Sequence, residues 1–467
     1  MSTFDHLFDS ALSLARRLRA GELSAAETVD ACLAQIERVN PTLNAVVTLA
    51  EERAREEARV LDGRRASGAE CGPLHGVPIT FKDSFDTEGI RSTASTAGRR
   101  NHVPTSDATV VHRLRQAGAI ILGKTNTPEL TMGPDTVSPL FGRTNNPYQP
   151  DYSPSGSSGG AAANIAAGGA ALEFGSDTGG SIREPAHVCG IVGLKPTQGR
   201  IPKTGHAIAH GVGLLDSITQ VGPMARYVED VEAALHICGG PDRADFTCVP
   251  ASMRPSADVD VRAMRVLHFG HNGLWPVTAE IERVVNDSAR VVSDTGATTI
   301  ELAPPPIASL GSLYSDYRVA DGGWGLRRLL ESFGTEQPGE GLQRRIDGCQ
   351  LVTPDRLAEL SFQIDQFKGA LFEFMQDYDA LICPPCPYAP WPHEAALNLT
   401  YQEWSYCTTF NLTGWPALVL RAGTSEQGMP IGVQLVAKPW REDIVLALGK
   451  HIESALGGYQ SDGLWCR

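Results

Sequence analysis

The sequence predicts an α/β protein built as a single large domain, and three observations carry that prediction. Short apolar runs with the length of buried strands, at residues 77–82, 119–122 and 431–436, alternate with helix-periodic stretches along the whole chain. No long linker rich in Pro, Ser or charge divides the 467 residues. A composition of 42% hydrophobic and 20% charged residues is that of globular material long enough to bury a large core.

Ser24-Ala-Ala-Glu27 reads as a capping box ahead of Val29, Cys32, Leu33 and Ile36 at helical spacing, with Asn40-Pro41 as the stop. Residues 1–66 are therefore expected to form a helical layer. In the next region, 67–250, a strand at 77–82 delivers Lys82 at its end, Asp107 is expected to cap a helix over 108–116, and 119–122 forms a buried strand. A small-residue helix follows at 161–171 and a strand at 190–194. Residues 251–380 alternate a strand at 265–269 with helices at 278–292 and 356–374 and carry no chemical motif, so they are assigned to the wall of a pocket. The last region, 381–467, holds strands at 417–420 and 431–436 and a helix over 443–456.

Several function classes are disfavoured at once. A net charge of −14 without clustered Lys and Arg is poorly suited to gripping phosphate backbones, so direct nucleic-acid binding is not expected. Asp5, His6 and Asp9 precede Arg16 and Arg17, which is not the basic-then-apolar order of a secretory signal. No apolar run reaches the roughly 18 residues needed to cross a bilayer, and a cytoplasmic location is expected. Ten cysteines scattered from Cys32 to Cys466 are too dilute for a disulfide scaffold and read as reduced thiols. Cys383-Pro-Pro-Cys386 has redox or metal spacing, but no second pair or His cluster completes it, so no metal or cofactor is expected.

Two motifs mislead. Gly118-Ala-Ile-Ile-Leu-Gly123-Lys124-Thr125 matches the phosphate-loop pattern, yet its apolar middle suits a strand better than a turn aiming N–H groups at phosphates. Gly156-Ser157-Ser158-Gly159-Gly160 fits the nucleophile elbow with Ser158 attacking, but Pro150 and Pro154 stand where that elbow needs a strand. The histidines His236, His268, His271, His393 and His451 carry no local triad signature.

The informative stretch is Gly175-Ser176-Asp177-Thr178-Gly179-Gly180-Ser181-Ile182-Arg183, downstream of Ser155-Gly156-Ser157-Ser158-Gly159-Gly160. Small residues let several backbone N–H groups approach one exposed hydroxyl, as a tetrahedral oxyanion beside a serine nucleophile requires. With Gly76-Val-Pro-Ile-Thr-Phe-Lys82-Asp83, Gly123-Lys-Thr-Asn126 and Gly193-Leu-Lys-Pro-Thr197, these segments resemble the amidase signature family of hydrolases. Weaker similarity continues through Asp216-Ser217 and Gly222-Pro-Met-Ala225 to Asn411-Leu-Thr-Gly414 and Gly432-Val-Gln434.

The resemblance implies a mixed central sheet with helices on both sides and a Ser-Ser-Lys catalytic unit. Ser181 is similar to the family's nucleophile, Ser157 to its bridging serine, preceded by a cis bond, and Lys82 to its base. Thr178, Gly179 and Gly180, with the Ser181 N–H, resemble its oxyanion hole. In supporting roles, Ser158 reads as a turn serine, Asp177 as the residue orienting the loop and Arg183 as a structural ion-pairing residue. Ser155 stands where many relatives carry Gly, Glu184 falls where the family varies, and Cys383 and Cys386 replace residues that are often Thr.

An amide has a poor leaving group, so its hydrolysis needs both an activated hydroxyl and a proton for the departing nitrogen. A free lysine titrates near about 10.4, so Lys82 serves as a base only if burial or positive charge disfavours its ammonium form, with Asp83 turned away. The expected activity is hydrolysis of a small amide, anilide or carbamate-like substrate through an acyl-enzyme. The alternative is the ammonia-producing component of a tRNA-dependent amidotransferase, which would need a partner. Phe141, Tyr152, Tyr314 and Trp324 are candidates for an apolar pocket wall, and a homodimer is compatible with the sequence.

Overall fold

The structure, a computed structural model, describes residues 5–209, 211–398 and 402–461. Cys466 lies outside them, and the nine cysteines within them are free thiols.

The chain opens with α1 (Ala11–Ala20) and α2 (Ala25–Leu43). Ser24 Oγ accepts from the Glu27 N–H at 3.1 Å, the N-cap half of a capping box, while Glu27 turns its carboxylate to the Ser24 hydroxyl at 2.8 Å. The expected stop at Asn40-Pro41 is corrected: α2 runs on to Leu43. Proline in a last turn forfeits one backbone bond, while Asn44, left-handed at φ 48°, ends the helix by donating to the Asn40 carbonyl. After β1 (Val46–Leu49), α3 (Glu51–Ala66) and β2 (Pro78–Lys82) comes α4 (Thr109–Gln116). Asp107 does not cap α4, because its carboxylate is drawn instead to the Glu88 N–H and to Arg115.

Next come β3 (Ile120–Thr125) and the small hairpin β4 (Val137–Ser138) and β5 (Gly142–Arg143). The phosphate-loop lookalike is thus a strand, and Lys124 is buried with its ammonium on the Phe85 carbonyl and Thr87 Oγ1. Helix α5 (Gly159–Ala166) ends earlier than its run of small residues suggested. The chain reverses at Gly168, φ 79°, to enter β6 (Leu172–Asp177), a strand the sequence pattern did not disclose. Its Leu-Glu-Phe start hides a buried carboxylate: Glu173 accepts from Thr80 Oγ1 at 2.5 Å and from Thr125 Oγ1. Then follow α6 (Arg183–Cys189), β7 (Val192–Lys195), β8 (Gln220–Ala225), α7 (Val228–Cys238), β9 (Arg265–His268), α8 (Ala279–Asp294) and β10 (Thr298–Glu301).

A helical stretch, α9 (Pro305–Ala308), α10 (Leu313–Val319), α11 (Trp324–Ser332), α12 (Glu340–Asp347) and α13 (Pro354–Phe374), leads to β11 (Ala380–Cys383). The chain closes with α14 (Ser405–Leu412), β12 (Ala417–Thr424), β13 (Pro430–Ala437) and α15 (Glu442–Leu456).

Eleven strands form one mixed sheet in the order β1-β3-β2-β6-β8-β7-β12-β13-β11-β9-β10. β2 lies parallel to both β3 and β6, whereas β8, β7, β12 and β13 pair antiparallel in succession. Both faces are covered, as alternation along β12 shows. Leu418 and Leu420 pack with Val231 of α7, Val284 of α8 and Leu448 of α15, while Val419 packs with Ala162 of α5 and Ala186 of α6. The helices α10 to α13 gather on a separate cluster with Tyr406 and Phe410 of α14. Among the described residues no helix is long and apolar enough to cross a membrane.

Candidate active site

Parallel pairing brings the C-terminal ends of β2 and β6 side by side, with Phe81 opposite Phe174. Lys82, the last residue of β2, is fully buried there. Its Nζ donates to Ser157 Oγ at 2.7 Å, Ser158 Oγ at 3.0 Å and Ser176 Oγ at 3.1 Å. Three hydroxyls satisfy the three hydrogens of an ammonium, and around a neutral amine two of them still accept while one donates to its lone pair. Burial pushes the Lys82 amine down to about 7, while the carboxylates of Asp177 and Glu173 pull the other way. Asp83 is turned away, accepting from the Thr93 N–H at 3.0 Å and from Thr93 Oγ1.

Ser157 and Ser158 arrive on the turn before α5. No strand precedes this turn, so the elbow context is missing and Ser158 is a partner of Lys82 instead. The Gly156–Ser157 peptide is cis. Gly156 has the Asp135 and Gly133 carbonyl oxygens 2.9 Å from where a Cβ would stand, so glycine is required there.

The second loop, Asp177 to Ser181, leaves β6 and enters α6. Its shape is set from beneath by Asp177, which accepts from the Gly180 N–H at 2.8 Å and the Ile182 N–H at 3.1 Å. Arg183 meets the same carboxylate with Nε at 3.0 Å and Nη2 at 2.9 Å, and donates also to Asn411, Gln434 and the Cys407 carbonyl. Burial alone would raise the Asp177 carboxyl, but Arg183 and Asn411 outweigh it and hold the group well below the usual carboxylate range. From the pocket side, Tyr314 of α10 donates to the Thr178 carbonyl at 2.7 Å. Gly180 sits at φ 125°, a region that favours glycine, and a Cβ on Gly179 would stand 2.6 Å from the Tyr314 oxygen.

These loops meet where the Ser158 N–H donates to the Ser181 carbonyl at 3.2 Å. Ser181, Gly179, Thr178 and Gly156 line one narrow cavity of about 30 Å³. Ser157 lies behind it, joined to Lys82. Lys82 and Ser157 are joined directly and Ser181 lines the cavity, with no hydrogen bond between the Ser157 and Ser181 hydroxyls among the described residues. Of the nominated backbone donors, Gly180 is engaged by Asp177, whereas the N–H groups of Gly179 and Ser181 meet no acceptor among the described residues.

Region 251–380 contributes Tyr314, Arg318 and Arg345 to the cavity, and Trp404 comes from beyond it. Of the aromatic residues proposed for the wall, only Tyr314 is there. Phe141 lies under Arg91, Tyr152 donates to Gln427, and Trp324 is 56% exposed. Three contributors escaped the sequence reading, and Tyr314, named for the wall, has a second role there. Ser176 sat inside the glycine-rich run, and Asn411 and Gln434 sat inside the weaker motifs, so all three were visible without a role. The clamp made by Tyr314 had no local signal.

Glu184, the first acidic residue after Ser181, lines the same cavity although it is only 3% exposed. Burial, reinforced by nearby Asp177, pushes its carboxyl up to about 8. Oε2 lies 3.3 Å from Ser155 Oγ, and Oε1 has no hydrogen-bond partner. An unsatisfied buried acceptor of this kind costs about 1–3 kcal/mol.

The Amidase family model matches residues 27–446. Over 478 aligned residues the chain is 34% identical to the A component of the glutamyl-tRNA(Gln) amidotransferase of Prochlorococcus marinus (strain MIT 9313), covering 94% of this chain and 96% of that protein. Its fold is similar to that of 6-aminohexanoate cyclic dimer hydrolase solved with substrate, with a TM-score of 0.86, 29% identity and coverage of 96% and 97%. A bacterial aryl acylamidase of the amidase signature family gives a TM-score of 0.83 at 26% identity over 96% of each chain.

Proposed function

The chain belongs to the amidase signature family of C–N hydrolases, and from that premise we propose that it hydrolyses a small linear amide through an acyl-enzyme on Ser181. The observation that carries this reading is a fully buried Lys82, its amine pushed down to about 7, in contact with Ser157 directly behind the cavity that Ser181 lines.

In this mechanism neutral Lys82 takes the Ser157 proton while Ser157 takes that of Ser181, whose oxygen attacks the carbonyl. The missing link closes when the Ser181 hydroxymethyl turns from one staggered well to another as substrate enters. The Gly179 and Ser181 N–H groups receive the oxyanion. Reversal of the relay delivers the proton to the departing amine, and water then uses the same relay to release the acid.

Purified protein is expected to turn over a chromogenic anilide, and Ser181→Ala to abolish turnover while retaining the wild-type melting curve. Undiminished turnover by that variant would remove Ser181 from the nucleophile role.

The likeness to the A component of glutamyl-tRNA(Gln) amidotransferases favours a second reading, a glutaminase that passes ammonia to a partner. Activity confined to glutamine, together with copurification of a tRNA-binding protein, would select it over the stand-alone hydrolase.

A further inference from the structure

Glu184 stands one helical turn beyond Ser181 and lines the same cavity, yet the mechanism gives it no task. Its surroundings offer it little. Arg183 is committed to Asp177, Asn411, Gln434 and the Cys407 carbonyl, and the thiols of Cys386 and Cys407 nearby are weak partners. Oε2 has only Ser155, and Oε1 has nothing. A buried carboxyl kept in this state beside the cavity has hydrogen-bonding capacity that its protein neighbours leave unused.

We propose that Glu184 reads the acyl part of the substrate, taking an N–H donor such as an amino group, and that this selects amides carrying such a donor over plain alkyl amides. The assignment follows from the chemistry of the wall. Arg318 and Arg345 can only donate, Met132, Leu215 and Trp404 offer no strong acceptor, and the hydroxyls of Thr131, Thr178 and Tyr314 are neutral acceptors that carry no charge to pair with an ammonium. Among the described lining residues Glu184 is the one carboxyl, and its unpartnered Oε1 makes it the strongest acceptor for a substrate N–H. A half-turn of the terminal carboxyl torsion, which is broad and two-fold, exchanges the two oxygens and brings either one to the substrate. With its carboxyl raised to about 8, Glu184 accepts from a neutral N–H while protonated and pairs with an ammonium once ionised.

This inference rests on the amide-hydrolase reading of the site, and the test separates the two. ω-Aminoacyl p-nitroanilides with two to five methylenes are compared with their alkanoyl isosteres, β-alanyl against butyryl being the shortest pair. Wild type is expected to favour the amino member by about 10-fold or more in kcat/KM at one chain length, because a site built to hydrogen-bond a group rejects the analogue lacking it. Glu184→Leu is expected to abolish or reverse that preference. Glu184→Gln, which keeps the size and one acceptor, is expected to fold as wild type with a reduced preference.

Equal loss on both members of every pair would mean a structural role and overturn the assignment, as would a wild type with no preference at any length. If no anilide is hydrolysed at all, the small-amide hydrolase reading fails and binding decides the rest. By calorimetry, Ser181→Ala should hold β-alaninamide about 10-fold more tightly than butyramide, with the difference lost in the Ser181→Ala/Glu184→Leu double variant. Equal binding of the two amides would overturn the inference on its own.

Discussion

The carboxylate of Asp177 and the guanidinium of Arg183 form a two-pronged, fully buried ion pair directly beneath the loop that carries Ser181. The pair fixes that loop because the same carboxylate also receives the Gly180 and Ile182 N–H groups.

Removing one partner leaves an uncompensated buried charge. Arg183→Met is therefore expected to destabilise the protein by about 3–5 kcal/mol, read as a lowered midpoint in urea unfolding. A midpoint equal to wild type would show that the loop is held by other contacts.

Lys82 predicts the direction of the pH profile. Its folded value is lowered from 10.5 to about 7, so the amine is protonated below that value and the relay has no base. The kcat/KM for an anilide should rise through about pH 7 and then level, whereas Lys82→Arg, permanently charged, should be inactive throughout. A linked effect appears in stability. Between about 7 and 10.5 the unfolded chain holds a proton that the folded chain lacks, so this group's contribution to unfolding free energy rises with pH across that window and is least favourable below it. Lys82→Met should lose that component of the slope in unfolding measured from about pH 7 to 10.5.

Ser157 links Lys82 to the cavity, so its removal should interrupt proton transfer and spare binding. Ser157→Ala is expected to lower kcat about 10²–10⁴-fold with KM little changed, the range typical of a lost general acid–base group. A fall in KM alone would contradict the relay.

Tyr314 holds the Thr178 carbonyl from the pocket side. Tyr314→Phe should cost about 0.5–1.5 kcal/mol of stability, as one hydrogen bond does, with a larger proportional loss in kcat than in KM. Gly179→Ala should reduce activity further, because its methyl would stand 2.6 Å from the Tyr314 oxygen. Restored turnover in the Gly179→Ala/Tyr314→Phe double variant would tie the two positions together.

Much of the site was legible because its chemistry is local. Ser157 and Ser181 each sit in a short run of glycines or small residues whose backbone demands leave a mark on the sequence, such as Gly180 at φ 125°, and Lys82 ends a short apolar strand. The strand β6 was not legible, because a buried Glu173 imitates a surface residue until Thr80 and Thr125 are brought against it. Asp107 was misread for the same reason: its partners, Glu88 and Arg115, are not all its sequence neighbours.

The sequence by itself determined the α/β class, the two glycine-rich loops and the residue types that can exchange protons, since strand length, turn chemistry and side-chain functionality are properties of short segments. Only the tertiary structure decided that Lys82 loses its water, that Asp177 spends the Gly180 N–H, and that Tyr314, Arg345 and Glu184 share one cavity with Ser181. Desolvation and pocket shape arise from segments that meet across long stretches of intervening chain, and no local pattern encodes such meetings.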